Sequence, residues 1–174
     1  MHKKSGNITA TDAQGFHFCG AEVSLMDDVR LLRVAEAGYM LEDLTVGMTA
    51  SYARTITEAD LVLFAGVSGD SNPVHMDQAY AERTPFGGRI VHGMLSASFL
   101  STAIASKLPG PGTIYLKQNL VFRAPVRIGD TVRATVTVMD ILREKARVAL
   151  KTVCHVGETV VIDGDALVIV PVRG

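Results

Sequence analysis

The stretch "GMLSASFLSTAIASKL", residues 93–108, is the part of the sequence that determines the fold. Its side chains are small or apolar on every side of a helix, and Lys107 carries the only charge in it. A helix without a polar face is stable in water only when other structure covers it. The stretch is shorter than the roughly 20 residues that a membrane-spanning helix needs. We therefore expect a buried helix at the centre of a domain.

Four segments with the pattern of β-strands follow this helix. The segment 131–140 alternates, with one face made of Val132, Ala134, Val136 and Val138. The segment 146–156 alternates in the same way and predicts a buried Cys154. In the segment 113–124 the predicted apolar face is Ile114, Leu116, Leu120 and Phe122. The segment 158–172 is apolar on both faces, as in a strand with neighbours on both sides.

A further strand and a helix precede the central helix. Residues 49–57 have strand character, and residues 57–69 predict a helix that Thr57 and Asp60 begin in capping-box spacing and that Gly69 ends. With the four later segments this gives an α+β fold, in which an antiparallel sheet of about five strands curls around the buried helix.

The N-terminal residues differ in character from the rest of the chain. We interpret residues 1–38 as an extension, either a tail or a short extra helix over "SLMDDVRLLRVAEA" at 24–37, and residues 39–174 as one domain. The first 20 residues have no apolar stretch after their basic residues, so we predict no secretory signal.

Composition and charge narrow the class of partner and the compartment. The formal net charge of −1 provides no long-range attraction to a polyanion, so we expect neither nucleic acid nor an anionic membrane as partner. The two cysteines, Cys19 and Cys154, lack the spacing of a metal site or of a disulfide framework. Two free thiols favour a cytoplasmic location.

The loop "SGDSNPVH", residues 68–75, places a carboxylate and an imidazole close together. Pro73 fixes its own φ and restricts Asn72, so the path from Asp70 to His75 is stiff. A buried carboxylate beside an imidazole can hold one water and share its protons, which general acid–base chemistry requires. Three alternatives remain open: structural roles for both residues, a metal site that adds Asp77, and a serine-histidine-acid triad using Ser68 or Ser71.

A second candidate feature is the start of the central helix. His92 and Gly93 lie where the first backbone N–H groups lack partners within the helix and where the helix dipole is positive. Glycine permits a ligand to approach the backbone closely, so an N–H at this point can act as an oxyanion hole. The alternative is that Gly93 only permits close packing of the helix.

Three motifs together resemble a known family: "FAGVSGDSNPVHMD", "GGRIVHGML" and "LPGPGTIYLKQNLVFRAPVRIGD". They are similar to the MaoC-like, (R)-specific enoyl-CoA hydratases of the hotdog-fold superfamily, over roughly residues 45–170. The resemblance implies the hotdog fold, a five-stranded antiparallel sheet wrapped around a long helix, and a homodimer. It also implies addition of water to a trans-2-enoyl-CoA to give the (R)-3-hydroxyacyl-CoA.

The resemblance also implies roles for individual residues. Asp70 and His75 correspond to the catalytic pair, Asn72 to a third polar residue of the loop, and Gly93 to the donor of the backbone N–H to the thioester oxygen. Ser101 corresponds to a serine near the catalytic aspartate, and His92 has a supporting role. No metal and no cofactor are implied, because coenzyme A is part of the acyl-CoA substrate.

Two other functions are compatible with the same fold. An acyl-CoA thioesterase would also use a carboxylate and a helix N-terminus on a thioester, but it would release free coenzyme A. A non-catalytic module would bind acyl-CoA without Asp70 or His75 doing chemistry. The sequence favours hydration because the aspartate and the histidine stand together on one loop. Substrates on an acyl carrier protein are a minor alternative within the hydratase interpretation.

Overall fold

The structure, a computed structural model, describes residues 38–173. The predicted helix at 24–37 and Cys19 lie outside the described residues, and the boundary at residue 38 stays a prediction. Two short 3-10 turns, Leu41–Asp43 and Arg143–Lys145, accompany the main elements. These are β1 (Thr49–Thr55), α1 (Glu58–Ser68), α2 (Pro73–Met76), α3 (Gln78–Ala81), α4 (Gly93–Ser106), β2 (Ile114–Phe122), β3 (Thr131–Leu142), β4 (Arg147–Val156) and β5 (Thr159–Ile169).

The strands form one five-stranded sheet in the order β1-β3-β4-β5-β2, with every neighbouring pair antiparallel. Strands β1 and β2 are therefore the two edges. The predicted α+β architecture, with a five-stranded antiparallel sheet packed against one long helix, is confirmed. Among residues 38–173 no helix combines the length and the hydrophobicity needed to cross a membrane.

The predicted alternation of β3 and β4 is confirmed by burial. The inward side chains of β3, which are Val132, Ala134, Val136 and Val138, are all 0% exposed. In β4, Cys154 is likewise buried, and burial raises the pKa of its thiol to about 12. Alternation predicts these strands correctly because each has neighbours on both sides and one face against the core.

Strand β2 departs from the predicted two-faced pattern. Its register shifts between Tyr115 and Lys117, and Tyr115 packs against the core together with Ile114, Leu116 and Leu120. Phe122, which was predicted on the buried face, is 52% exposed. The prediction for Phe122 is wrong because β2 is an edge strand whose end lies beyond the cover of the core.

Helix α4 is buried on one side and not on all sides. Leu95, Phe99, Leu100, Ala103 and Ile104 are buried, and α4 makes contacts with β3, β1 and β4. A stripe spaced by four, three and four residues is exposed, and it consists of Met94, Ser98, Ser101 and Ala105. Within residues 38–173 the expectation of a helix covered all round is therefore wrong, since the sheet covers only one side of α4.

Helix α1 begins and ends as predicted and thereby positions the loop that follows it. The Thr57 backbone N–H and hydroxyl donate to the Asp60 carboxylate, at 2.8 and 2.7 Å. Gly69 ends the helix in the left-handed conformation, with φ of 77°. Leu61 anchors α1 in the core with 0% exposure. The chain therefore turns sharply at Gly69 and presents Asp70 at a defined place.

Candidate active site

The loop after α1 is held by short-range hydrogen bonds. The Asp70 carboxylate accepts a hydrogen bond from the Asn72 backbone N–H at 3.2 Å, and the Asn72 side-chain oxygen accepts one from the Val74 N–H at 3.2 Å. Asn72 is thus the N-cap of α2, whose first residue is Pro73. Helix α2 carries His75, so the loop and the cap together set the position of the imidazole relative to Asp70.

His75 has a defined tautomer. Its Nδ1 lies 2.8 Å from the carbonyl oxygen of Ile90. Because a carbonyl oxygen only accepts hydrogen bonds, Nδ1 carries the proton and donates it. In the neutral ring Nε2 then has a free lone pair, which is the state that a general base requires.

His92 links the loop to the start of α4. It is 1% exposed and is the N-cap residue of α4. Its Nε2 donates to the backbone carbonyl of Asp70 at 3.0 Å, and its ring lies 4.1 Å from the ring of His75 and 5.0 Å from that of Phe64. Because Nε2 donates to a carbonyl oxygen, it carries the proton, and in the neutral ring Nδ1 bears the lone pair. This Nδ1 is buried and has no hydrogen-bond partner among the described residues. His92 therefore contacts both catalytic candidates, Asp70 through a hydrogen bond and His75 through ring packing.

Asp70, His75 and His92 converge in space. Each offers one nitrogen or oxygen atom, and these three atoms lie within 4.8 Å of one another. One water that hydrogen-bonds to two groups spans up to about 5.5 Å, so Asp70 and His75 are close enough to share a water. Asp70 is exposed in this chain, whereas a buried carboxylate was expected. The difference arises because Asp70 lies in a surface loop that no other element within residues 38–173 covers.

A pocket of about 460 Å³ opens beside these groups. Asp70, His75, Gly93 and Arg123 all line it. The remaining wall is mainly apolar and includes Ile90, Val91, Met94, Val126, Val161 and Ile162. A cavity of this size with an apolar wall and a few polar groups at one end is typical of a site for a small organic ligand.

Gly93 begins α4 at the edge of this pocket. The N–H groups of Leu95 and Ser96 donate to the His92 carbonyl. The N–H of Gly93, the first residue of the helix, has no acceptor within the helix and is available to a ligand. A Cβ on Gly93 would lie 2.7 Å from Phe122 Cε1, so the ring of Phe122 packs directly on this glycine. Both interpretations of Gly93 thus have a structural basis: close packing, and access of a ligand to the backbone.

The structure separates three other candidates from the pocket. Asn72 is exposed, is not among the residues that line the pocket, and caps α2 with its side chain, while its catalytic role stays a prediction. Ser101 lies on the exposed stripe of α4 and does not line the pocket. The Asp77 carboxylate accepts a hydrogen bond from the Tyr80 N–H at 2.9 Å as the N-cap of α3, so it turns away from a metal site with His75.

The set that could hold a metal is therefore Asp70, His75 and His92, and not the set considered from the sequence. Each histidine already donates one ring N–H to a backbone carbonyl and keeps one nitrogen for another partner. The same arrangement suits proton transfer, and the absence of a metal from the function stays a prediction.

Sequence reasoning missed Ser96. This serine is 1% exposed and lines the pocket, one helical turn after Gly93. The helical spacing from Gly93 is a signal that could have found it.

Comparison with known proteins identifies the family. Residues 45–161 match the model of the MaoC like domain. The chain is 54% identical to the "(R)-specific enoyl-CoA hydratase" of Rhodospirillum rubrum, over 78% of this chain and 94% of that protein. It is 48% identical to the "3-hydroxybutyryl-CoA dehydratase" of Methylorubrum extorquens, over 75% of this chain and 83% of that protein.

Solved structures agree with these relatives. The unliganded R-hydratase PhaJ1 from Pseudomonas aeruginosa superimposes with a TM-score of 0.74 at 47% identity, covering 78% of this chain and 88% of that one. The (R)-hydratase from Aeromonas caviae, described as involved in PHA biosynthesis, superimposes with a TM-score of 0.73 at 40% identity, covering 75% and 99%. The chain therefore belongs to the MaoC-like family and has its hotdog fold.

Proposed function

We propose that this protein adds water to the double bond of a trans-2-enoyl-CoA and forms the (R)-3-hydroxyacyl-CoA. The observation that carries the proposal is the convergence of Asp70 and His75, within a water's span, on a pocket that Gly93 also lines. The names of the relatives, an (R)-specific enoyl-CoA hydratase and a 3-hydroxybutyryl-CoA dehydratase, support the same activity.

The chemistry follows from the two polar groups. Asp70 and His75 accept hydrogen bonds from one water and orient its oxygen toward C3 of the substrate. As the oxygen attacks C3, one water proton moves to the pair, and the pair delivers a proton to C2 from the same face. One O–H bond of water and the π bond between C2 and C3 break while a C3–O and a C2–H bond form, so the reaction needs no cofactor beyond the coenzyme A of the substrate.

The start of α4 contributes through the thioester. Negative charge develops on the thioester oxygen when C3 is attacked, because the enoyl thioester becomes enolate-like. The Gly93 N–H, at the positive end of the α4 dipole, donates to this oxygen. A donor of this kind typically lowers a barrier by about 3–4 kcal/mol.

The experiment is a direct assay of the purified protein. Loss of absorbance at the enoyl-thioester band is followed with trans-2-enoyl-CoA substrates from crotonyl-CoA to dodecenoyl-CoA, and an R-specific dehydrogenase reports the product's configuration. We expect hydration and the R product. Release of thiol from butyryl-CoA, detected with a thiol dye, together with no hydration of any enoyl-CoA, would instead establish the thioesterase. Binding of acyl-CoA without either reaction would establish the non-catalytic module.

We also infer that the protein acts as a homodimer in the cytoplasm. Large apolar side chains are exposed around the site, on α1 (Val62, Leu63, Val67), on α4 (Met94) and at the end of edge strand β2 (Val121, Phe122). A second copy of the chain would remove this apolar surface from water and would shield the exposed Asp70. Light scattering on the eluting protein should give twice the chain mass of 18.6 kDa. The buried free thiol of Cys154 suits a reducing compartment.

A further inference from the structure

Ser96 has a buried hydroxyl that no group of the described chain binds. Its residue is 1% exposed, and its Oγ is among the buried side-chain atoms without a hydrogen-bond partner in residues 38–173. A buried hydroxyl without a partner destabilises a folded protein. Ser96 also lines the pocket that contains Asp70, His75 and Gly93. A ligand in that pocket is therefore the partner that the structure makes available.

The other hydroxyls of α4 show that this state is unusual. The Ser98 hydroxyl donates to the Leu95 carbonyl at 2.6 Å, and the Ser106 hydroxyl donates to the Thr102 carbonyl at 2.6 Å. Serine in a helix commonly bonds in this way to a carbonyl of the preceding turn. The Ser96 hydroxyl bonds neither to the carbonyl of His92, four residues earlier, nor to that of Gly93, three residues earlier. The Ser96 hydroxyl is thus left for another acceptor.

The direction of the side chain brings this hydroxyl to the start of the helix. Side chains in an α-helix point toward its N-terminus, so a residue three positions after the first lies over the first turn. Ser96 therefore faces the end of α4 at which Gly93 presents its N–H. The apolar part of the pocket wall includes Val126, Val161 and Ile162, none of which offers a side-chain acceptor. A substrate carbonyl in this pocket can supply one.

We propose that the Ser96 hydroxyl is a second hydrogen-bond donor to the thioester carbonyl oxygen, beside the Gly93 N–H. This proposal rests on the proposed function, because it assigns Ser96 to the enolate-like charge that develops during hydration. Two donors from one helical turn would together stabilise negative charge on that oxygen as an oxyanion hole.

A different role for Ser96 would involve His92. The unpartnered Nδ1 of His92 lies four residues earlier on the same side of the helix, and the Ser96 hydroxyl could act on the substrate only indirectly, by binding that nitrogen. No hydrogen bond joins these two atoms in the structure, so the direct role is favoured. The two roles predict different pH behaviour, because His92 packs on the ring of His75.

The test compares Ser96→Ala with Ser98→Ala, a matched serine of the same helix whose hydroxyl is bound within it. We expect Ser96→Ala to lower kcat for crotonyl-CoA on the order of 100-fold, with a smaller change in KM, because the bond strengthens in the transition state. Its free energy of unfolding in urea should stay the same or rise, since the variant removes an unsatisfied buried group. Ser98→Ala should change kcat less than about twofold.

Three results would overturn the proposal: a Ser96→Ala enzyme with normal kcat, a loss of kcat that merely follows a loss of stability, or a shifted pH profile of kcat/KM. The last two would indicate a structural role or action through His92.

A binding measurement separates this proposal from the proposed function. Acetoacetyl-CoA forms an enolate with its own near-ultraviolet band, and an oxyanion hole with two donors favours the bound enolate. The wild-type protein should show that band at a pH where Ser96→Ala does not. If the wild type hydrated no enoyl-CoA, the proposed function would fail, yet this difference would still support Ser96 as a thioester donor. Equal enolate bands in both proteins would contradict the role of Ser96.

Discussion

The interior of the sheet and the start of α4 differ in the kind of side-chain atoms that they bury. In the interior, Val132, Val136 and Leu150 are at most 1% exposed and carry no polar side-chain atom. At the start of α4, Ser96 Oγ and His92 Nδ1 are buried without hydrogen-bond partners among residues 38–173, and the nearby Asp70 is exposed. Apolar burial stabilises the folded state, whereas unpaired polar groups destabilise it and remain ready to bind a ligand.

This contrast teaches that stability and activity reside in different residues of one small domain. Substitutions at the loop and at the start of α4 should change activity with little change in stability, and substitutions inside the sheet should do the reverse. Single substitutions in the loop, inside the sheet and at the start of α1 test that separation.

The first prediction concerns the catalytic pair. Asp70→Asn and His75→Ala should each lower kcat by about 1000-fold or more, because each removes a group that orients and deprotonates the water. The fold should remain intact, since Asp70 is exposed and His75 is only partly buried. Rates of crotonyl-CoA hydration and urea unfolding curves measure the two quantities.

Asp77→Asn is the matched control for this pair, since Asp77 follows His75 by two residues and caps α3. It should retain kcat within about twofold. Near-normal hydration by either catalytic variant would reject the assignment, and a large loss of kcat in Asp77→Asn would favour a metal or structural role for the loop.

The second prediction concerns the interior. Leu150→Ala should lower the free energy of unfolding by about 3 kcal/mol, because it leaves a cavity next to side chains that do not collapse into it. The folded fraction should hydrate substrate with a normal kcat. Leu142→Ala, at the 42% exposed Leu142 near the end of β3, should cost less than about 1 kcal/mol. A loss of kcat in Leu150→Ala beyond the unfolded fraction would show that the two regions are coupled.

The third and smallest prediction concerns Asp60, at the start of the helix that carries the loop. The hydroxyl and the backbone N–H of Thr57, and the charge of Arg54, lower the pKa of the Asp60 carboxyl. A carboxyl with a lowered folded-state pKa stabilises the protein above its unfolded pKa, near 3.9, and loses that contribution as the pH falls through the folded value. Asp60→Asn should therefore lower the free energy of unfolding by about 1 kcal/mol near pH 7 and should leave it almost unchanged in strong acid.

Urea unfolding at a series of pH values measures this difference. Glu144→Gln, in the exposed turn between β3 and β4, should differ from the wild type by less than about 0.5 kcal/mol at every pH. A difference for Asp60→Asn that stays constant down to strong acid would contradict an electrostatic origin.

Local sequence patterns predicted the fold correctly where residues close in sequence determine the local structure and the burial of a side chain. Thr57 and Asp60 predicted the start of α1, and alternation predicted the buried faces of β3 and β4, which have a strand on each side. The loop motif likewise predicted that Asp70 and His75 lie together, since they are only five positions apart and the stiff Asn72-Pro73 step lies between them.

The errors fall where distant parts of the chain decide exposure. Phe122 has the alternation of a buried residue, but β2 ends at a sheet edge. Met94 and Ser101 belong to an apolar stretch, yet the sheet covers the opposite side of α4. No pattern in one helix reveals which of its faces the sheet will cover.

Sequence alone was enough to predict α1, α4, the five strands, the buried faces of β3 and β4, and the meeting of Asp70 with His75, because these depend on backbone geometry and on side chains a few residues apart. Only the tertiary structure decided that Ser96, and not Ser101, lines the pocket, and that His92 joins Asp70 to His75. Those choices depend on how α4 is rotated against the sheet, and contacts between residues far apart in the chain set that rotation.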